Sequence, residues 1–244
     1  MNSDRARTSI TIVVNEGERK KIVRPGVARE TYRDLTRTVD LVFVIDTTGS
    51  MSDKIEGLLA TCAKFIDEFS EMNLDGRVAV VAFGDLTVPG DSIEHYGFAD
   101  NIHSVKQYLK RIPRNGGGGN EGESSLEALQ YAMGLQFRSA SVKTLILITD
   151  EPALQHRIRA SDMVERLRSE EFLTFVISPS LRYFREMAKS TGGKWYRISA
   201  HTDFTDLLEM FRQVAQKVSE VVSNVYELGD GSVTKYLQLK APEE

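Results

Sequence analysis

Apolar positions along the chain follow two alternating spacings. Short continuous runs of bulky residues, such as Leu41–Ile45 and Leu145–Ile148, are bounded by polar residues and read as strands buried on both faces. Between such runs lie stripes at helical spacing. Ile55, Leu58, Leu59, Cys62, Phe65, Ile66 and Phe69 mark one face of a helix over about 52–72. The full pattern predicts strands at 40–46, 77–84, 92–98, 143–149, 172–178 and 194–199. It predicts helices at 52–72, 101–112, 123–136, 157–170, 180–191 and 203–222. This alternation predicts an α/β fold: a doubly wound, mostly parallel six-stranded sheet of order 3-2-1-4-5-6, with helices on both faces and one short antiparallel edge strand.

Segments outside this block have a different character. Residues 8–16 are β-prone, Gly17 allows a turn, and Lys21–Arg24 forms a candidate return strand before Pro25-Gly26 breaks it. Residues 26–37 read as a connector with a short helix. The expected organisation is an N-terminal β segment and connector over 1–37, the α/β domain over 38–222, and a tail over 223–244 in which Thr234–Leu239 is a possible added strand.

Candidate chemistry gathers at three places. The run Val42–Ile45 ends in Asp46, and two hydroxyls follow at alternate positions, Thr48 and Ser50. The strand at 143–149 ends at Asp150. Between them in sequence lies the glycine run Gly116–Gly119, leading through Asn120, Gly122 and Glu123 into a helix. In the predicted strand order the strands ending at Asp46 and Asp150 are neighbours at the point where the winding reverses, so a crevice opens at their carboxyl ends. Two aspartates there repel each other unless a cation lies between them. Carboxylate and hydroxyl oxygens are hard ligands and suit Mg²⁺ or Mn²⁺ better than Zn²⁺. Taken singly, each segment has a plainer explanation. Thr48, Ser50 or Ser52 are also suitable helix caps, Asp150-Glu151-Pro152 also reads as a strand exit, and the glycine run as a ligand-free loop.

The segment Asp46-Thr47-Thr48-Gly49-Ser50, with Thr149-Asp150, the middle loop and the element order, resembles von Willebrand factor type A domains over about 38–222. The resemblance implies a metal-ion-dependent adhesion site (MIDAS) holding Mg²⁺, with Mn²⁺ or Ca²⁺ as alternatives. It also implies a cation completed by an acidic side chain of a partner protein, often within a multi-protein assembly. The family commonly has a threonine six residues before the leucine of the following helix start. Counting back from Leu129 gives Glu123, a departure that resembles a Gly-Gly-x-Asp-x-Pro-Glu variant of intracellular and bacterial members, with Asn120 and Gly122 in the Asp and Pro places. The expected metal residues are therefore Asp46, Thr48, Ser50, Glu123 and Asp150, with no catalytic residue and no organic cofactor site.

Composition narrows the alternatives. The chain has 244 residues, a formal net charge of −4, 27% charged residues and one cysteine. Cations and acids are interspersed, so neither a nucleic-acid nor a membrane-surface binder is expected. Arg19-Lys20-Lys21 reads as a solvated hairpin face. Cys62 falls within an apolar helical stripe, and a buried structural role is expected. Residues 1–5 lack the apolar core of a signal peptide, which gives a cytoplasmic expectation. His95, His103, His156 and His201 are scattered without zinc spacing, and neither a phosphate loop nor a nucleophile elbow is present. Two other functions remain open at this level. One is a Mg²⁺-dependent haloacid-dehalogenase-like phosphatase with Asp46 as nucleophile, although Thr48 stands where such enzymes place a second aspartate. The other is a structural domain with an idle metal site.

Overall fold

The computed structural model describes residues 12–16, 19–23, 37–71, 74–117, 122–198, 202 and 204–239. The chain divides into two units, Met1–Thr36 and Arg37–Glu244. In the first, β1 (Ile12–Glu16) and β2 (Arg19–Val23) pair antiparallel, with Ile12 opposite Val23 and Glu16 opposite Arg19. The short helix expected in the connector lies almost wholly outside the described residues.

The second unit is built on a six-stranded sheet of order β5-β4-β3-β6-β7-β8. Its strands are β3 (Thr38–Asp46), β4 (Asp75–Phe83), β5 (Ile93–Ala99), β6 (Val142–Ile148), β7 (Phe172–Ser178) and β8 (Trp195–Arg197). Counted from β3 this is the expected order 3-2-1-4-5-6. All pairs are parallel except β4 with β5 at one edge, where the register shifts between Val78 and Val80. Helices cover both faces. They are α1 (Ser52–Ser70), α2 (Ile102–Arg111), α3 (Ser125–Met133), α4 (Ala160–Ser169), α5 (Arg182–Ser190), α6 (Phe204–Gly229) and α7 (Val233–Leu239). Among the described residues, no helix is long and apolar enough to cross a membrane.

The period-two alternation of a strand explains the two cores. From β3, Leu41, Phe43 and Ile45 face a core closed by α1, α2 and α6, while Val42 and Val44 face one closed by α3, α4 and α5. Phe43, Phe65 and Phe211 meet at the centre of the first core, with ring centroids 5.3–6.5 Å apart. Cys62 is buried there as a free thiol, and burial pushes its pKa up.

Two polar clusters close the amino-terminal edge of the sheet. Asp40 on β3 is fully buried. It receives paired bonds from Arg77 at 3.0 and 2.7 Å and further bonds from the backbone N–H and Nε of Arg138. Arg138 also grips Asp75 through Nη1 at 2.9 Å. Beside it, the Tyr226 hydroxyl of α6 accepts the Thr38 N–H and lies 2.7 Å from the Thr38 carbonyl and 2.9 Å from the Ala140 carbonyl.

The C-terminal segment departs from expectation. Helix α6 continues beyond 222 to Gly229, its buried stripe running from Phe211 through Val218 to Val225. The run Thr234–Leu239 is not a strand but most of α7. Asp230 and Gly231 take left-handed backbone (φ 50° and 85°), which stops α6. Ser232 then caps α7: its Oγ accepts the Lys235 N–H at 3.2 Å and donates to Glu171 Oε1 at 2.7 Å. A helix places Val233, Tyr236 and Leu237 on one face, where the first two are buried. A strand would put Val233 and Tyr236 on opposite faces.

Candidate metal centre

Strands β3 and β6 run side by side and end at the same edge, so Asp46 and Asp150 leave the sheet together. The Asp46 side chain is fully buried, and both its oxygens are engaged. Oδ1 accepts the N–H and the Oγ1–H of Thr48 at 3.0 and 2.6 Å, and Oδ2 accepts the Thr149 hydroxyl at 2.7 Å. Thr48 stands at the N-terminus of the short 3₁₀ turn Gly49–Met51 but makes no side-chain cap bond to it. Its hydroxyl serves Asp46 instead, which disposes of the helix-cap reading for that residue. The donors continue outward: Thr48 Oγ1 lies 3.3 Å from Ser50 Oγ, and Ser50 Oγ donates to Asp150 Oδ1 at 2.8 Å. Ser50 is exposed and Asp150 half-buried, so this chain of oxygens runs from the core to the surface.

Glu123 approaches from the middle loop, of which residues 118–121 lie outside the described set. It sits just before α3, tied to the segment after Asp150 by its N–H to the Pro152 carbonyl and by the Leu154 N–H to its own carbonyl, both 2.9 Å. A Cβ at Gly122 would stand 2.7 Å from the Pro152 carbonyl oxygen, so this closeness requires glycine. The Glu123 side chain is only 4% exposed, and its Oε2 has no hydrogen-bond partner among the described residues. The Gly117 backbone lies close to this carboxylate and to Thr48. A Cβ there would be 3.1 Å from both Glu123 Oε1 and Thr48 Cβ, and the residue has φ 72°.

The electrostatics are those of crowded, desolvated carboxylates. Burial raises Asp46 to about 6, the bonds from Thr48 and Thr149 hold it down, and the charge of Asp150 adds to the rise. Burial raises Glu123 to about 8, helped by Asp46, Asp85, Asp91 and Glu151. Without a cation, Glu123 is therefore mostly protonated at neutral pH. A divalent cation relieves both this repulsion and the unpartnered Oε2, and the nearby donors are all hard oxygens. Among the described residues no three His, Cys, Asp or Glu side chains sit close enough to hold an ion by themselves. A cation here would have the hydroxyls of Thr48 and Ser50 among its nearby oxygens. On chemistry and placement, the residues present fit such an ion.

Thr149, part of the Thr149-Asp150 pair noted in the sequence, orients Asp46. Two further residues of this crevice were not singled out by their sequence. Asp85 at the end of β4 repeats the Asp46 turn: its Oδ1 accepts the N–H and Oγ1–H of Thr87 at 2.8 and 2.7 Å. The signal was a second Asp-x-Thr following an apolar strand, Asp85-Leu86-Thr87. Asn115 joins the loops, its N–H and Nδ2 donating to the carbonyl and hydroxyl of Thr47 at 2.9 and 2.8 Å.

A doubly wound sheet with Asp-x-Thr-x-Ser at the exit of its central strand defines the class. Residues 40–213 match the von Willebrand factor type A domain, and the chain belongs to that family. It is 23% identical over 190 residues to the alpha-protein kinase vwkA of Dictyostelium discoideum. That match takes in 73% of this chain but only 30% of the kinase, so the chain spans less than a third of this relative's length. BatB of Bacteroides thetaiotaomicron superposes with a TM-score of 0.54 at 15% identity, covering 76% of this chain and 99% of BatB. Proximal thread matrix protein 1 of the mussel byssus, solved with zinc in its MIDAS motif, superposes at 0.57 and 18% identity, covering 75% of this chain and 46% of that one. At such identities the solved structures share the fold with this chain.

Proposed function

We propose that the domain is a metal-dependent protein-binding module. In this reading Asp46, Thr48, Ser50, Glu123 and Asp150 supply the donors for Mg²⁺ or Mn²⁺, and an acidic side chain of a partner protein completes the coordination. The observation that carries it is the run of oxygen atoms from buried Asp46 to exposed Ser50, together with a buried Glu123 oxygen that has no hydrogen-bond partner among the described residues. When bound, the cation offers a Lewis-acidic position to an incoming carboxylate. Asp46, oriented by Thr48 and Thr149, anchors the buried side. Ser50 and Asp150 form the rim a partner meets. Catalysis by Asp46 is disfavoured, because a nucleophile needs a free, accessible oxygen and both of its oxygens accept hydrogen bonds inside the core. The kinase it resembles is a much longer protein, of which this chain spans 30%.

Calorimetric titration with Mg²⁺ and Mn²⁺ tests the metal, and pull-downs in Mg²⁺ or EDTA test the partner. Wild type is expected to bind both ions, and Asp46→Ala neither. Partner capture is expected to fail in EDTA, and mutating one acid on the partner should reproduce that failure. Recovery of the same partners by wild type, by Asp46→Ala and in EDTA would remove the metal from the mechanism.

A further inference from the structure

Asp91 lies in the loop between β4 and β5, remote in sequence from every candidate donor, yet its carboxylate sits behind the metal crevice. Oδ1 accepts the Gly116 N–H at 2.9 Å. Oδ2 accepts the Gly117 N–H at 2.9 Å and the Asp85 N–H at 3.0 Å. Both oxygens are thus committed to backbone amides of two different loops. Gly116 in turn accepts the Gly49 N–H through its carbonyl at 3.2 Å, and Gly49 belongs to the turn carrying Thr48 and Ser50. Three glycines permit this contact. A Cβ on Gly84 would stand 2.5 Å from Asp91 Oδ2, one on Gly49 2.9 Å from the Gly116 carbonyl oxygen, and one on Gly117 would press on Thr48 and Glu123.

We infer that Asp91 is a positioning residue of the metal centre: its carboxylate gathers the Gly116-Gly117 backbone and holds it against the Asp46–Ser50 turn, fixing the distance between Glu123 and Thr48. This rests on the metal-binding reading above. The arrangement suits an anion, since a carboxylate accepting several backbone N–H groups makes stronger bonds than a neutral acceptor would. All three hydrogen bonds it accepts come from backbone amides of the two loops, so Asp91 acts by holding the loop in place. Asn115 does related work on the other side of the loop by binding Thr47.

The test compares wild type, Asp91→Asn, Asp91→Ala and Asp46→Ala by Mn²⁺ titration and by amide hydrogen exchange without metal. Asparagine keeps one acceptor oxygen and turns an NH₂ toward backbone donors; alanine keeps neither oxygen. Mn²⁺ affinity should fall at least tenfold in Asp91→Asn and further in Asp91→Ala. In the metal-free variants, exchange at Gly49, Gly116 and Gly117 should quicken while the amides of β3 and β6 stay protected. Wild-type Mn²⁺ affinity in both variants would overturn the inference, and so would unchanged exchange at the three glycines. Loss of protection throughout the sheet would also overturn it, by making Asp91 a general stability residue. If wild type itself takes up no Mn²⁺, the metal reading fails, and the exchange data still decide whether Asp91 holds the loop.

Discussion

Glu123 shows how much a single side chain decides at this site. A carboxylate in the family's threonine place adds a negative charge, once a cation has displaced its proton, to a crevice that already holds Asp46 and Asp150. The extra charge should strengthen attraction for a cation and leave less residual positive charge for a partner's acid. Glu123→Thr is therefore expected to weaken Mg²⁺ and Mn²⁺ binding and to change the preference among Mg²⁺, Mn²⁺ and Ca²⁺. Unaltered affinities in titration would assign Glu123 to the helix start alone, where its effect through the dipole is a few tenths of a kcal/mol. Asp40, at the other end of the same strand, is the opposite electrostatic case. Burial pushes its pKa up, but the bonds from Arg77 and Arg138 outweigh this and hold it below the ordinary 3.8. A carboxylate whose folded-state pKa is depressed contributes stability above its unfolded pKa and loses it as pH falls through the folded value. The Asp40 contribution should be complete at neutral pH and disappear below about pH 4. Asp40→Asn should cost on the order of 2 kcal/mol at pH 7, because it removes the buried charge that Arg77 and Arg138 share, although Arg138 keeps Asp75. Its denaturant-derived stability should also fall less steeply than wild type's below about pH 4.

At the scale of elements, periodicity carried most of the fold. The strand ending at Asp46 and the helix behind it were legible because β3 is apolar on both faces and α1 carries an unbroken stripe. The proposed donors Asp46, Thr48, Ser50 and Asp150 were legible as a group because they sit at the exits of two such strands. Their partners were less so: Asp91 and Asn115 act from loops, where contacts depend on how three glycines let backbones approach. The last helix shows a different failure. Thr234–Leu239 has β-prone residues, yet α7 forms because Gly229-Asp230-Gly231 ends one helix and Ser232 caps the next. Those stop and start signals were in the sequence and outweigh propensity over so short a run. Glu171 completes the anchor. Burial pushes its pKa up, but bonds from Ser232 and Thr234 and the charge of Lys143 bring it below the ordinary value. Ser232→Ala should lower stability by about 1 kcal/mol and quicken amide exchange in α7 before it does so in α6. Equal exchange in both proteins would show that packing of Tyr236 alone holds α7.

For the whole molecule, the sheet divides the structure into an electrostatically settled edge and an unsettled one. Arg77, Arg138 and Tyr226 satisfy the amino-terminal edge, whereas desolvated acids crowd the carboxyl edge. Binding of a cation to the folded state alone stabilises it by RT ln(1 + [L]/Kd), about 2.7 kcal/mol at a hundredfold excess over Kd. For a domain of this size that corresponds to a rise in melting temperature of roughly 5–10 °C. Millimolar Mg²⁺ should raise the wild-type melting temperature by that order and leave Asp46→Ala unmoved; no shift in wild type would count against the site.

The Tyr226 clasp has a mechanical consequence. It joins the first residue of β3 to the last turns of α6, tying two segments far apart in sequence at the amino-terminal edge of the sheet. The eight residue steps from Thr38 to Asp46 place that junction roughly 26 Å from the crevice. Tension applied between residues 37 and 226 therefore pulls first on the Tyr226 hydroxyl bonds and on those from Arg37 to Ser223 and Glu227, at a distance from the crevice.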